Sequence, residues 1–182
     1  SWLRVLGRYR RTLHQRNALI RAMGSHRVGR VGPELEAWNE RLVDAAEAVH
    51  VGRREYAMRL AARLGEVGRV LFTDGEGLSL HYLPSPRASR DVEPGAFRHV
   101  FAEALASGLE RDRSVGHTCV GPHRDELRVA CDGIDLRRFG SAGQVRAAMI
   151  ALKLGKLSLL GESKGEAPIF LMDDFDTVLD EV

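Results

Sequence analysis

The chain has 182 residues, 27 of them Lys or Arg and 25 Asp or Glu, for a formal net charge of +2, with 44% hydrophobic and 29% charged residues. This is globular composition and excludes a disordered chain, a coiled-coil rod and a collagen-like fibre. No apolar run approaches the ~20 residues of a membrane-spanning helix, so no membrane partner is expected. Two cysteines cannot build a disulfide framework, which points to a reducing compartment. The length allows one domain or two small ones. The chain opens at Ser1 inside a helical pattern, shows no signal peptide and stops at Val182 after an acidic run, so it is expected to be a piece of a longer protein.

Trp2, Leu6, Tyr9, Leu13, Asn17 and Ile20 recur at steps of three and four and predict an amphipathic helix ending near Gly24. A turn-like stretch from Gly24 to Gly32 leads to Pro33, which suits the first position of a second helix. Leu35, Trp38, Leu42, Ala45 and Val49 carry that helix on through Tyr56, Leu60 and Leu64, and the aromatic side chains read as packing. After Gly68 the pattern changes: Val70–Phe72 and Leu78–Leu83 read as short strands around an Asp74-Gly75 turn. Pro84 to Pro94 is loop, followed by a helix with Phe97, Phe101 and Leu105 that Gly108 ends. His117–Val120 and Glu126–Cys131 read as strands, with Asp132-Gly133 turning a hairpin into Ile134–Arg137. A helix over Gly143–Leu160 and a fully apolar strand, Ile169–Met172, complete the pattern. The expected architecture is mixed α/β (α+β), with an arm-like helical lobe over residues 1–110 and an α/β core over 111–182.

Charge is unevenly placed along this plan. Residues 1–30 carry eight Arg and no carboxylate, whereas residues 162–182 carry seven carboxylates and one Lys. The basic block fits a solvated helix face in a chain that uses Arg in place of Lys, or a surface facing nucleic acid. In the second case Arg10, Arg11 and Arg16 are the candidate contacts to the phosphate backbone.

Three segments carry chemistry. In Pro168-Ile169-Phe170-Leu171-Met172-Asp173-Asp174, an apolar strand ends in two acids at the carboxyl end, where α/β sheets place their sites. The first carboxylate suits Mg²⁺ beside a nucleotide's phosphates, and the second suits orienting or deprotonating an attacking water. An acidic pair that merely caps a strand-to-helix turn is the alternative. In Phe139-Gly140-Ser141-Ala142-Gly143-Gln144, Ser141 is a natural N-cap, and small residues open the helix's positive end to an anion. Together the two segments have the layout of an ABC-type ATPase, and Asp176-Thr177-Val178-Leu179-Asp180 falls in the place of its D-loop. The third segment is Val120-Gly121-Pro122-His123-Arg124-Asp125-Glu126-Leu127. His123 and Arg124 there suit either a link to nucleotide or DNA, or a structural hydrogen-bond hub. Cys119 and Cys131 have no CxxC spacing and read as core thiols.

Taken together, Gly-Pro-His-Arg-Asp, Ser-x-Gly-Gln-x-Arg, Ala151–Leu154 (Ala-Leu-Lys-Leu) and Asp-Asp-Phe resemble the RecF DNA replication and repair family, relatives of the SMC-type ABC ATPases. Tyr9 to Leu19, Trp38 and the Leu78–Pro84 strand are similar as well, so the resemblance covers essentially the whole chain. It implies the C-terminal part of a split ABC-type ATPase lobe, with residues 1 to about 110 supplying much of the lobe that interrupts it. It further implies ATP and Mg²⁺ as cofactors, DNA binding at single-strand gaps and duplex junctions, a homodimer on ATP binding, RecO and RecR as partners in loading recombinase, and a bacterial cytoplasmic setting. By motif, Asp173 would serve the metal and Asp174 would be the catalytic acid/base. Ser141, Gly143 and Gln144 would meet the γ-phosphate bound by the other subunit, and Thr177 and Asp180 would lie at the dimer interface. No Gly-x-x-x-x-Gly-Lys-[Ser/Thr] occurs in these residues. The resemblance puts the P-loop before Ser1 and the switch His after Val182. Val178 replaces a more usual polar D-loop residue, while Asp174 in place of Glu is normal for the family. Two other readings stand beside this one: a non-catalytic module that binds DNA or partner proteins, and another SMC-like ATPase. The short arm argues against the latter.

Overall fold

The spacing of apolar residues at the start of the chain produces the helix it predicts. In the computed structural model, which describes residues 1–23, 32–71, 77–90, 92–93, 95–165 and 168–171, α1 spans Trp2–Met23 and buries Tyr9, Thr12, Arg16 and Ile20. These positions fall three or four apart, so they form one stripe along the helix. Pro33 opens α2, which runs without a break to Leu71 with Glu34 and Glu36 in its first turn, where carboxylates oppose the helix dipole. The strand expected at Val70–Phe72 is therefore not formed at Val70 and Leu71, which continue the helix; Phe72 and the Asp74-Gly75 turn lie outside the described residues. An established helix adds one hydrogen bond per residue fixed, and that outweighs the β preference of a short Val-Leu-Phe run.

Beyond α2 the order is β1 (Leu78–Leu83), a 3₁₀ turn at Arg87–Ser89, α3 (Phe97–Ser107), α4 (Leu109–Val115), a 3₁₀ turn at Pro122–Arg124, β2 (Glu126–Cys131), β3 (Ile134–Asp135), α5 (Leu136–Phe139) and α6 (Ala142–Lys164). Gly108 ends α3 as expected, but α4 restarts at once; Gly116, at φ 76°, closes α4 in the left-handed region. Residues 117–120 form no strand, because their backbone groups pair with side chains rather than with a neighbouring strand. The three strands lie in the order β1-β2-β3, with Ala130 opposite Asp135 and Cys131 opposite Ile134 in the antiparallel β2–β3 pair. The hairpin between them turns through Asp132 (φ 48°) and Gly133 (φ 80°), the two positive angles that a type I′ turn requires. β3 stops after two residues because Asp135 caps α5, accepting from the Arg137 N–H at 3.0 Å. Pro168–Leu171 form no strand, and Ile169 and Leu171 stand 86% and 88% exposed.

The chain divides into two compact units, one of residues 1–53 and 83–126, the other of residues 54–82 and 127–182. The chain crosses between them within α2, near the end of β1 and at the start of β2. The first unit buries Tyr9 of α1, Leu42, Ala46 and Val49 of α2, and Phe97, Phe101 and Leu105 of α3 around one core. His50 stacks on Phe97, and Phe97 on Phe101, at centroid distances of 4.2 and 5.5 Å. The second unit packs Leu60 and Leu64 of α2 against Leu78 and Leu80 of β1, Cys131 of β2 and Ala148, Ala151 and Leu159 of α6. Each large apolar side chain so buried contributes about 1.5–3 kcal/mol. Gly155 sets the approach of α6 to α2: a Cβ there would lie 3.3 Å from Leu60 Cδ1 and 3.4 Å from Arg63 Cβ. Among the described residues no helix is long and apolar enough to cross a membrane.

Candidate functional site

Two of the sequence-predicted segments are described, one in each unit. In the second unit, Ser141 caps α6 through a reciprocal capping box. The Gln144 N–H donates to Ser141 Oγ at 3.1 Å, and the Ser141 N–H donates to Gln144 Oε1 at 3.0 Å. The box uses the acceptor side of the Ser141 hydroxyl and leaves its O–H to donate. Ser141, Ala142 and Gly143 are exposed, and the first turn of α6 holds no acid. At Gly143 an added Cβ would meet nothing nearer than Ser141 Oγ at 3.9 Å, so among the described residues no side chain crowds that position. A 23-residue helix adds its dipole here, equivalent to roughly half a positive charge. The expected N-cap at the start of α6 is therefore formed.

In the first unit, Gly121-Pro122-His123-Arg124-Asp125 is held from several sides. Gly121 has φ 126°, and a Cβ there would lie 2.9 Å from the Tyr9 hydroxyl oxygen and 3.1 Å from Phe101, so both backbone angle and space require glycine. Its N–H donates to Ser85 Oγ at 3.2 Å. The Ser85 N–H donates to Asp125 Oδ1 at 2.9 Å, and Arg53 pairs with Asp125 Oδ2 at 2.7 Å and also donates to the Pro122 carbonyl. His123 Nε2 lies 3.0 Å from the Thr118 carbonyl, and Nδ1 lies 2.7 Å from the Tyr9 hydroxyl. A carbonyl only accepts, so Nε2 carries the proton and Nδ1 accepts from Tyr9. His123 is thus a neutral imidazole, its pKa pushed down by burial against the partly opposing pull of the Thr118 carbonyl. Burial drives the Tyr9 hydroxyl above its ordinary value. Both ring nitrogens of His123 are thus hydrogen-bonded within the first unit.

The neighbouring residues are fixed in the same way. Asn17 Oδ1 accepts from the Thr118 N–H at 2.8 Å and from its hydroxyl at 2.6 Å, and the Cys119 N–H donates to Asp112 Oδ1 at 2.8 Å. Arg16 stands at the centre of this network and corrects an expectation. Its side chain has no exposed surface: Nη1 donates to Asp112 Oδ2 at 2.7 Å and to Thr118 Oγ1 at 2.6 Å, and Nε donates to Asn39 Oδ1 at 2.7 Å. A guanidinium so enclosed presents no donor to a nucleic-acid backbone. Arg10 and Arg11, one turn and more before it, are exposed. Asp173, Asp174, Thr177 and Asp180 lie outside the described residues. Sequence reading missed the partners Tyr9, Arg53, Ser85 and Asp112, because no periodicity links residues so far apart along the chain.

Comparison with known proteins agrees with the fold and with the motifs. No family model matches the chain. The chain is 37% identical over 180 residues to the DNA replication and repair protein RecF of Moorella thermoacetica, and 31% identical over 181 residues to that of Synechococcus sp. (strain JA-3-3Ab). Each alignment takes in 99% of this chain but only 45% and 47% of the relative, so the chain spans about half the length of the curated relatives it matches. A solved structure of the recombination mediator protein RecF with ATP, from the RecFOR pathway, superposes with a TM-score of 0.87 at 29% identity over 99% of this chain and 47% of the other. These likenesses are to DNA replication and repair proteins. Over the length it covers, the chain resembles the RecF family.

Proposed function

We propose that this chain is the part of a RecF-type protein that carries the signature helix and the acidic motif of an ATP-dependent DNA-binding machine. The observation that carries the reading is the open, capped start of α6 at Ser141, Gly143 and Gln144, in a chain whose structural relative is an ATP complex. In this reading residues 1–110 contribute to the interrupting lobe and 111–182 to the ATPase lobe. Bound ATP with Mg²⁺ supplies the phosphoanhydride whose hydrolysis resets the protein. Ser141 donates its hydroxyl proton and Gly143 its backbone N–H toward a phosphate held by a second subunit, and Gln144 fixes the Ser141 rotamer. Asp173 holds the metal, Asp174 orients and deprotonates the attacking water, and Thr177 and Asp180 line the dimer interface. Arg10 and Arg11 contact the DNA backbone, and the segment around His123 and Arg124 couples nucleotide to DNA. The complete protein dimerises on ATP at single-strand gaps and duplex junctions and works with RecO and RecR to load recombinase.

The test is Asp174→Asn in a RecF-length protein carrying these residues. Hydrolysis is expected to fall ~10²-fold or more while an ATP-dependent dimer persists. Unchanged turnover removes Asp174 from catalysis and the acidic motif from the site.

A further inference from the structure

Among the well-anchored residues around Gly121, one charged side chain has a partner of the wrong kind for a structural role. Arg124 is exposed, and its Nη2 lies 3.2 Å from His117 Nε2. His117 Nδ1 lies 3.1 Å from the Val115 carbonyl, which can only accept, so the proton sits on Nδ1 and Nε2 offers a lone pair to Arg124. A guanidinium seated on a neutral imidazole keeps its positive charge, and among the described residues no ion pair to a carboxylate is made by Arg124. Asp112 is engaged by Arg16 and the Cys119 N–H, and Asp125 by Arg53 and the Ser85 N–H. Arg111, exposed on α4, adds a second positive group, close enough that its charge and that of Arg124 both act on Cys119.

We infer that Arg124 and His117 form a binding site for a phosphate group, held in place by the buried network beneath it. The inference rests on reading this segment as nucleotide- or DNA-related and assigns the roles within it. Arg124 offers a planar fork matched to two phosphate oxygens. His117 steadies that fork through its Nε2, which lies 3.2 Å from Arg124 Nη2. His123 makes no contact with the ligand, because Thr118 and Tyr9 occupy both its nitrogens; it is a positioning residue. Preorganisation of this kind avoids the cost of ordering side chains at the moment of binding. The phosphate belongs to a nucleic-acid backbone or to a nucleotide, two sources with the same chemistry.

The experiment follows the Arg124 guanidinium and His117 ring resonances by NMR while this chain is titrated, in separate arms, with a 20-nucleotide oligodeoxythymidylate and with ATP. Shifts in the first arm assign the site to a nucleic-acid backbone, and shifts in the second assign it to a nucleotide. Arg124→Gln and His117→Asn are each expected to weaken the active arm by ~10-fold or more, the worth of a charge-assisted hydrogen bond. Both positions are solvent-facing, and an unchanged melting temperature shows that the variants fold. If neither probe moves these resonances, or both variants bind like the parent chain, the site does not exist. Oligonucleotide binding that leaves Arg124 unmoved overturns the site and spares the DNA reading. Shifts with ATP alone, without oligonucleotide binding, do the reverse.

Discussion

Arg16 shows how one buried charge determines the local structure around it. Its pair with Asp112 lies wholly out of water, so both ions have lost their hydration and depend on each other and on Asn39, Thr118 and the Cys119 N–H. Removing one partner strands the other. Arg16→Ala is expected to destabilise the chain by ~3–5 kcal/mol in urea denaturation, far more than Arg10→Ala at an exposed position of the same helix. Equal losses for the two variants would show that the pair is not what fixes Thr118 and Cys119. The role of Arg16 was not legible in the sequence. One-letter spacing places Arg16 in register with Tyr9 and Ile20 on the buried stripe, but an arginine there reads as solvated unless its acid is known. That acid lies on α4, in a stretch with no pattern to connect it.

At the scale of elements, the start of α6 was the most readable feature. Ser141 followed three positions later by Gln144 is a capping-box pattern in the sequence, and both hydrogen bonds form. Ser141→Ala is expected to cost ~0.5–2 kcal/mol, with the loss confined to the first turns of α6 in amide exchange. Protection falling evenly along the helix would mean that the cap does not control its end. The helices α1, α2, α3 and α6 were legible because each presents a continuous apolar stripe. The misreadings were the short elements. Val70 and Leu71 were absorbed into α2, and the Thr118-Cys119 stretch satisfies its backbone with the side chains of Asn17 and Asp112, a substitution that hydrophobic pattern cannot reveal. Ile169–Leu171 reads as a buried strand, yet nothing among the described residues pairs with it; a strand exists only with a neighbour.

Over the whole molecule the net charge of +2 conceals an uneven distribution. Arg4, Arg8, Arg10 and Arg11 stand exposed on α1 with no acid in the helix, whereas Arg59, Arg63 and Arg98 are matched by Glu162, Glu66, Asp44 and Glu47 in surface pairs of little individual worth. The matched arginines are spent locally, and those on α1 are available to a polyanion. If Arg10 and Arg11 both touch phosphates, replacing them with Glu lowers the slope of log affinity against log salt by up to ~2, as read from DNA binding over a salt series. An unaltered slope returns this helix face to plain solvation. Composition revealed the imbalance from the start, but it could not separate Arg16, which is structural, from its exposed neighbours.

The choice of cap at α6 carries one more implication. Aspartate ends helices as well as serine does and suits the positive pole better. It would serve a helix whose end faced water alone. A carboxylate at residue 141, however, would repel any phosphate approaching Gly143 and would have no proton to offer it. Serine closes the helix and leaves its pole attractive to an anion, which an aspartate at the same position would not.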